Sequence, residues 1–432
     1  MNFNHLLENS KVSYSEERAA INIFVVLLFL LLNPLYAISI CAVLNLVNSR
    51  INFRLFLIMF ALSFASFYFL RDWNIGSDAI HYVRSYQAAD SISLSDIFHR
   101  FVLKPQGGEL FFYTYIWLFR KLFGYHVDFF AFFNYFLIFS LTAYLGKAVD
   151  RKRFAVVTLC IIFVDSGLLG NAFEVWRHTI AALLFLIGIF LFETNKHRRL
   201  SRSLMYSSAL FHLVTLPLVI LYEFFTFFST RNKRLQTTNP SQRIKWNSIG
   251  IITYVIFMVL VFNLIEKYGV FIAPYFNLSS LYKWDIFSVQ RGFNFIFNWL
   301  FCALVAYFWL NRKKISKNDL FIIINYYIIV YVMMRLDFPG YFICRIWLVF
   351  KIGIAILYAK LLLIDLDLGI IGCLGIIVYT FHFLFTRPGG GIKLLSLLGG
   401  GDFLNPTYGL AVMIYNYGTF LVSPSTVLQS FL

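Results

Sequence analysis

The chain has 432 residues, 60% of them hydrophobic, with a mean hydropathy of +0.73; 37 Lys plus Arg against 21 Asp plus Glu leave a net charge of +16. That much apolar surface exceeds what a soluble core hides, which excludes a soluble fold, and several apolar runs are long enough to cross a bilayer. A +16 balance suggests nucleic acid in a soluble protein, but here much of it falls in short loops between apolar runs, as the positive-inside rule requires.

The expected fold is therefore all-α, one polytopic integral membrane domain over 1–432 with about 10–12 transmembrane helices. The N-terminus mixes Glu8, Glu16 and Glu17 with Lys11 and Arg18, unlike a cleaved signal peptide, so the first membrane helix is expected to direct insertion. The first apolar run covers 21–47, with Pro34 a kink, and a second covers 55–70. Basic loops follow Arg50 and Arg54 at 147–153, 196–202, 231–245 and 312–317. Placing them in the cytoplasm makes 71–108 the main extracytoplasmic loop.

That topology constrains two segments. Residues 109–123, closed by Arg120 and Lys121, are too short to span and are expected to be interfacial or re-entrant, leaving 127–146 as the spanning helix. Residues 203–228 lie between two basic loops and must enter and return, with Pro217 breaking them into a hairpin. Re-entrant backbone is tolerated only where protein or a wet cavity covers it, so both segments hint at a cavity. Further spans are expected at 154–169, 178–193, 247–264, 292–310, 319–335, 346–363, 368–385 and 407–422.

After Leu70 comes the densest polar cluster, Arg71-Asp72-Trp73-Asn74-Ile75-Gly76-Ser77-Asp78-Ala79-Ile80-His81-Tyr82-Val83-Arg84. Arg71 and Arg84 suit phosphate or carboxylate. Asp78 and His81, three apart, share a helix face and can move protons. Interfacial anchoring explains the same residue types. On this topology Arg71, Arg84, Arg177, Arg291, Arg335 and Arg345 gather at outer helix ends, against the insertion bias. Six such guanidinium groups fit an anionic substrate, best a diphosphate held without a metal; snorkelling is the alternative for any one of them.

Among proton-handling groups, Asp78 ranks first as a base because it lies in a wet loop between arginines. Glu109 heads the Leu-Phe-Phe-Tyr helix, where a carboxylate also favours the helix dipole. His212, in Ala-Leu-Phe-His-Leu-Val, is costly in an apolar helix unless it meets a partner or a cavity. Glu174, Arg177 and His178 open the 178–193 helix at the spacing of a local ion pair, and Asp165 and Asp337 are weaker. The five cysteines, Cys41, Cys160, Cys302, Cys344 and Cys373, form no CxxC and no metal-spaced cluster with His. No GxxxxGK[ST], GxSxG or HExxH is present. Asp365-Leu-Asp367 falls on the cytoplasmic side and reads as structural.

Together these residues resemble the EpsG-like branch of the Wzy family, bacterial O-antigen and exopolysaccharide polymerases. Its Arg, then Gly-Thr-Asp-x-x-x-Tyr stretch is matched by Arg71, Gly76-Ser77-Asp78 and Tyr82. A Glu-Pro-Leu/Phe-Phe/Tyr helix is matched by Glu109-Leu110-Phe111-Phe112-Tyr113, without the Pro. Asn-x-x-Arg-Gln-x-x-Ala resembles 174–181, with Arg177 kept and His178 in place of Gln. A small-residue helix ending Phe-His is matched at Ala209-Leu210-Phe211-His212, and a late Arg followed by Tyr-Phe at Arg335, Tyr341 and Phe342.

The resemblance spans 20–360 and implies a glycosyltransferase of the bacterial inner membrane, in lipopolysaccharide or exopolysaccharide biosynthesis, without a cofactor. It would move the growing glycan from undecaprenyl diphosphate onto a new lipid-linked repeat unit at the outer leaflet. Asp78 would be the base, with His212 and Glu109 as substitutes. Arg71, Tyr82, Arg84, Arg177, His178, Arg291, Arg335, Tyr341 and Arg345 would bind substrate. Partners would be undecaprenyl-diphosphate-linked oligosaccharides, membrane lipids and, left open, a chain-length regulator protein; no nucleic acid is expected. Three rivals remain: a flippase for the same lipid-linked sugars, which needs no base, a membrane acyltransferase using His212, and an O-antigen ligase.

Overall fold

A computed structural model describes residues 3–47, 50–73, 78–103, 109–163, 167–193, 198–234, 316–335, 341–363 and 403–416, with isolated positions elsewhere. Among them every regular element is helical: α1 Phe3–Leu31, α2 Pro34–Val47, α3 Phe53–Ala65 with a 3₁₀ turn Ser66–Leu70, α4 Asp78–Gln87 with a 3₁₀ turn Ala88–Ser91, and α5 Leu94–Leu103. Next come α6 Leu110–Phe123, α7 Val127–Val149, α8 Phe154–Phe163, α9 Gly167–Glu174, α10 Trp176–Glu193 and α11 Arg198–Phe211. A 3₁₀ turn Leu213–Thr215 leads to α12 Leu216–Arg234, followed by α13 Lys317–Arg335, α14 Tyr341–Leu362 and α15 Leu410–Asn416.

Three described helices are long and apolar enough to cross a membrane: Phe53–Leu70, Val127–Val149 and Trp176–Glu193. Phe154–Phe163 with Leu168–Glu174, meeting at 74°, makes a fourth if they form one bent span. The segment expected at 154–169 is helical over Phe154–Phe163, residues 164–166 lie outside the described residues, and α9 begins at Gly167. Residues expected at 247–264, 292–310 and 368–385 lie outside the described residues, apart from isolated positions near 254. Helix α6 has 14 residues and is about 21 Å long, short of a hydrocarbon core of about 30 Å.

The chain forms two compact units, one of Met1–Leu94, Thr114–Leu183 and Ala359–Leu432, the other of Ser95–Tyr113 and Leu184–Tyr358. In the first, α3 and α7 pack through phenylalanines: Phe56, Phe60 and Phe64 lie one turn apart, and Phe64 meets Phe139 at 4.8 Å between ring centroids. Lipid tails are as apolar as these rings, so close packing rather than burial from water holds such helices together. Gly146 on α7 lets α8 approach: a Cβ there would stand 2.3 Å from the Thr158 hydroxyl and 2.7 Å from the Phe154 carbonyl.

The expected kink at Pro34 is a full break. Proline has no N–H and is accepted at the first helical position, so α1 ends at Leu31 and α2 starts at Pro34. Asn33 caps the new helix, its side-chain oxygen accepting from Leu35 N at 3.0 Å, while its amide nitrogen donates to the Phe403 carbonyl at 2.8 Å. At the other end of α2, Asn45 accepts from Ala155 N at 3.0 Å and donates to the Lys152 carbonyl at 2.9 Å.

In the second unit, α10 and α11 cross closely. A Cβ on Gly188 would stand 2.5 Å from the Met205 side chain, and Ser201 donates to the Gly188 carbonyl at 2.7 Å. Helix α13 is pinned at Asn318, which accepts from the Tyr222 hydroxyl at 2.7 Å and donates to the Ile189 carbonyl at 2.6 Å. Seven residues on, Asn325 accepts from Tyr254 at 2.8 Å. The segment expected to break near Pro217 does so at His212, whose backbone is extended (φ −155°, ψ 114°). Pro217 then sits in the first turn of α12, where its missing N–H costs nothing.

Candidate functional site

Arg71 leaves the 3₁₀ turn at the end of α3 in an extended conformation, which turns its side chain inward. The side chain is 0% exposed and sits 3.0 Å from the Glu174 carboxylate. It also donates to the Tyr135 hydroxyl at 3.2 Å and to the Phe173 carbonyl, and its guanidinium lies 4.4 Å from the centroid of Trp73. A guanidinium deep among aromatics needs this enclosure, because a buried charge must be paired and hydrogen-bonded. Glu174 ends α9 and α10 begins only at Trp176. The local helical spacing to Arg177 and His178 is therefore interrupted, and Glu174 pairs with a residue 103 positions away.

Around this pair the first unit collects other residues singled out in the sequence. Tyr82 is buried against Trp176, ring centroids 5.5 Å apart, and the Arg177 guanidinium lies 5.8 Å from the Tyr82 ring. Trp176 also meets Phe130 and Tyr135, and His178 is fully buried on α10. Asp78 opens α4, so the expected helix through Asp78 and His81 is present. Asp78 is half-buried while His81 and Arg84 are exposed. A carboxylate in the first turn also favours the helix dipole.

Arg120 reaches Asp90 with two nitrogens and lies 4.1 Å from the Tyr125 ring centroid. The Arg120 hydrogen bonds hold the Asp90 carboxyl below the usual range, aided by Lys121. Burial pushes the Tyr86 hydroxyl up, against the pull of Arg120.

In the second unit, two residues weighed as substitutes for the base meet each other. His212 Nδ1 is 2.7 Å from Glu109 Oε1, with the side chains 5% and 3% exposed. Each occupies a helix end. The Glu109 carbonyl accepts from Tyr113 N at 3.1 Å, so the residue precedes the first turn of α6. His212 joins α11 to the following 3₁₀ turn, its N–H donating to the Ser208 carbonyl and its carbonyl accepting from the Thr215 amide and hydroxyl, all at 2.9 Å. Phe111 and Phe211, the chain neighbours of the pair, stand edge to face at 6.1 Å. The imidazole is thus clamped at its backbone and oriented at Nδ1 by the Glu109 carboxylate.

Arg335 is the last residue of α13, Tyr341 the first of α14, and Arg345 lies one turn further on, all in the second unit. Arg291 lies outside the described residues. Among the described residues, no three His, Cys, Asp or Glu side chains gather as a metal site. Tyr135, Trp176 and Tyr68, which donates to Asp128, were not singled out in the sequence. Asp128 and Asn134, polar groups inside an apolar run, are the signal that would have drawn attention to α7.

No protein-family model, curated protein or solved structure matches this chain.

Proposed function

We propose that this chain is a polysaccharide polymerase of the bacterial cytoplasmic membrane whose acid–base pair is Glu109–His212. The observation that carries the reading is the buried 2.7 Å contact between these side chains, joined to the order of motifs in the sequence. His212 Nε2 takes the proton from the acceptor sugar hydroxyl as that oxygen attacks the anomeric carbon of the growing glycan. The bond from that carbon to undecaprenyl diphosphate breaks, and the diphosphate leaves with the electron pair. Glu109 stabilises the imidazolium and fixes its tautomer, as a carboxylate does for a catalytic histidine.

The leaving diphosphate gains charge, which arginines are suited to stabilise. Arg335 and Arg345 belong to the same unit as the pair and are assigned that role with Arg291. Asp78, first choice from sequence, yields the base to His212. Arg71, enclosed by Glu174, Tyr135 and Phe173, becomes a structural cation rather than a clamp. Entry of α11 and α12 from the cytoplasmic side, with His212 at the turn of the hairpin carried toward the outer leaflet, is part of the same proposal.

The same pair favours a second reading, a membrane acyltransferase in which His212 deprotonates a sugar hydroxyl for acyl transfer. A gene deletion complemented with wild type, Glu109→Gln or His212→Ala separates the two. A polymerase loses the polysaccharide ladder and leaves a single repeat unit on its acceptor, in the deletion and in both variants. An intact ladder with altered acylation establishes the acyltransferase instead.

A further inference from the structure

We propose that the α11–α12 hairpin is a binding surface for an anionic phospholipid, with the phosphate at its basic end and an acyl chain along α12. Helix α11 buries Ser201, Met205, Ser208 and Ala209 and presents Arg198, Arg199, Leu200, Arg202 and Tyr206 outward, all exposed. Arg198 and Arg202, one turn apart, lie 5.8 and 5.7 Å from the Phe192 ring centroid.

Glu223 sets the register of the hairpin. It is 3.2 Å from Arg202 and accepts from the Tyr206 hydroxyl at 3.4 Å. Since the chain turns back through 212–215 and Arg202 meets Glu223, the basic start of α11 lies on the side of Glu223 away from the turn. From there an apolar ridge runs down α12 through Phe227, Ile220 and Leu216, 56%, 58% and 41% exposed. Eleven residues of helix cover about 16 Å, the scale of one acyl chain. Glu223 interrupts the ridge but is answered by Arg202, so the acid does not repel the ligand.

A headgroup phosphate with a hydrocarbon tail complements this pattern, cations at one end and apolar side chains beyond. A soluble anion matches only half of it. Basic residues beside a membrane attract anionic lipid at about 1 kcal/mol each, a several-fold preference per cation.

The test uses the full chain purified in detergent, with retained phosphatidylglycerol and phosphatidylcholine quantified by native mass spectrometry. Wild type is expected to keep phosphatidylglycerol at least fivefold over phosphatidylcholine, and Arg198→Gln/Arg199→Gln to lose most of that preference. Arg151→Gln/Lys152→Gln, an equal charge change on the α7–α8 loop, is expected to keep it. If the first variant does not purify, the salt dependence of wild type decides, since the preference should fall as ionic strength rises. Equal losses in both variants, an unchanged ratio in the first, a salt-insensitive ratio, or displacement by inorganic pyrophosphate as effective as by phosphatidylglycerol would each overturn the proposal.

Discussion

Each compact unit pairs a carboxylate with a buried nitrogen base, Glu174 half-buried in the first and Glu109 buried in the second, and the two differ in what the base can do. Arg71 and Glu174, in the first, and His212 and Glu109, in the second, each close 103 residues of sequence, so neither is a by-product of local helix geometry. Arginine never gives up its proton in a protein, and Arg71 is also held by Tyr135, Phe173 and Trp73. Histidine, with an ordinary pKa of about 6.5, can take a proton and return it. Burial of a charge pair is therefore no mark of chemistry in itself. On the proposed reading, the first pair fastens the fold and the second transfers a proton.

The largest expected effect separates these roles. His212→Ala should lower polymer formation about 10²–10⁴-fold, the usual loss when a general base is removed, with little change in purified yield. Glu109→Gln should lose less, since the imidazole remains, and should displace the pH–rate profile. Chain-length analysis with membrane extracts over a pH series measures both. Wild-type rates in His212→Ala would return the base to Asp78 or another group.

Arg71→Met should do the reverse. Removing one partner of a buried ion pair costs about 3–5 kcal/mol, because Glu174 would be left charged among aromatic rings. Thermal unfolding in detergent should show a large loss of stability, partly recovered in Arg71→Met/Glu174→Gln, which leaves no stranded charge. A stable Arg71→Met that fails only in turnover would make Arg71 a clamp, as the sequence first suggested.

A finer test changes one hydroxyl in each unit. Tyr135→Phe removes an acceptor from Arg71, and Thr215→Val removes the hydroxyl that caps the His212 carbonyl; each should cost about 0.5–1.5 kcal/mol of stability. Only Thr215→Val should also reduce kcat, because it loosens the backbone that aims the imidazole. Equal effects on kcat would erase the distinction between the pairs.

The all-helical, apolar character was legible from composition and run length, and so was the helix beginning at Asp78. The break at Asn33 was only half legible. Pro34 announced an interruption, but a kink and a restart differ by whether a cap is present, and Asn33 forms that cap together with bonds to residues near 403. Glu109 and His212 were legible as individuals, the first as a carboxylate heading a helix and the second as a costly polar group in an apolar run. Their meeting was not, because nothing local encodes a contact across 103 residues. Arg71 was likewise legible as a cation at a helix end, but its pairing with Glu174, 103 residues away, was not.

The smallest effect concerns Asp90, whose exposed carboxylate pairs with the buried Arg120. Its carboxyl titrates lower in the folded protein than its ordinary value, chiefly through the Arg120 hydrogen bonds. A depressed carboxylate pKa stabilises the fold at pH values above the ordinary one, and that contribution drains away as acid protonates the folded form. Because Asp90 is exposed, water and salt screen the interaction, and Asp90→Asn should lower stability only slightly at neutral pH. The wild-type and Asp90→Asn curves of unfolding temperature against pH should converge below the ordinary carboxylate range, and the gap at neutral pH should narrow with added salt. A gap that persists at low pH would mean that Asp90 acts through packing of the α4–α6 region rather than through its charge.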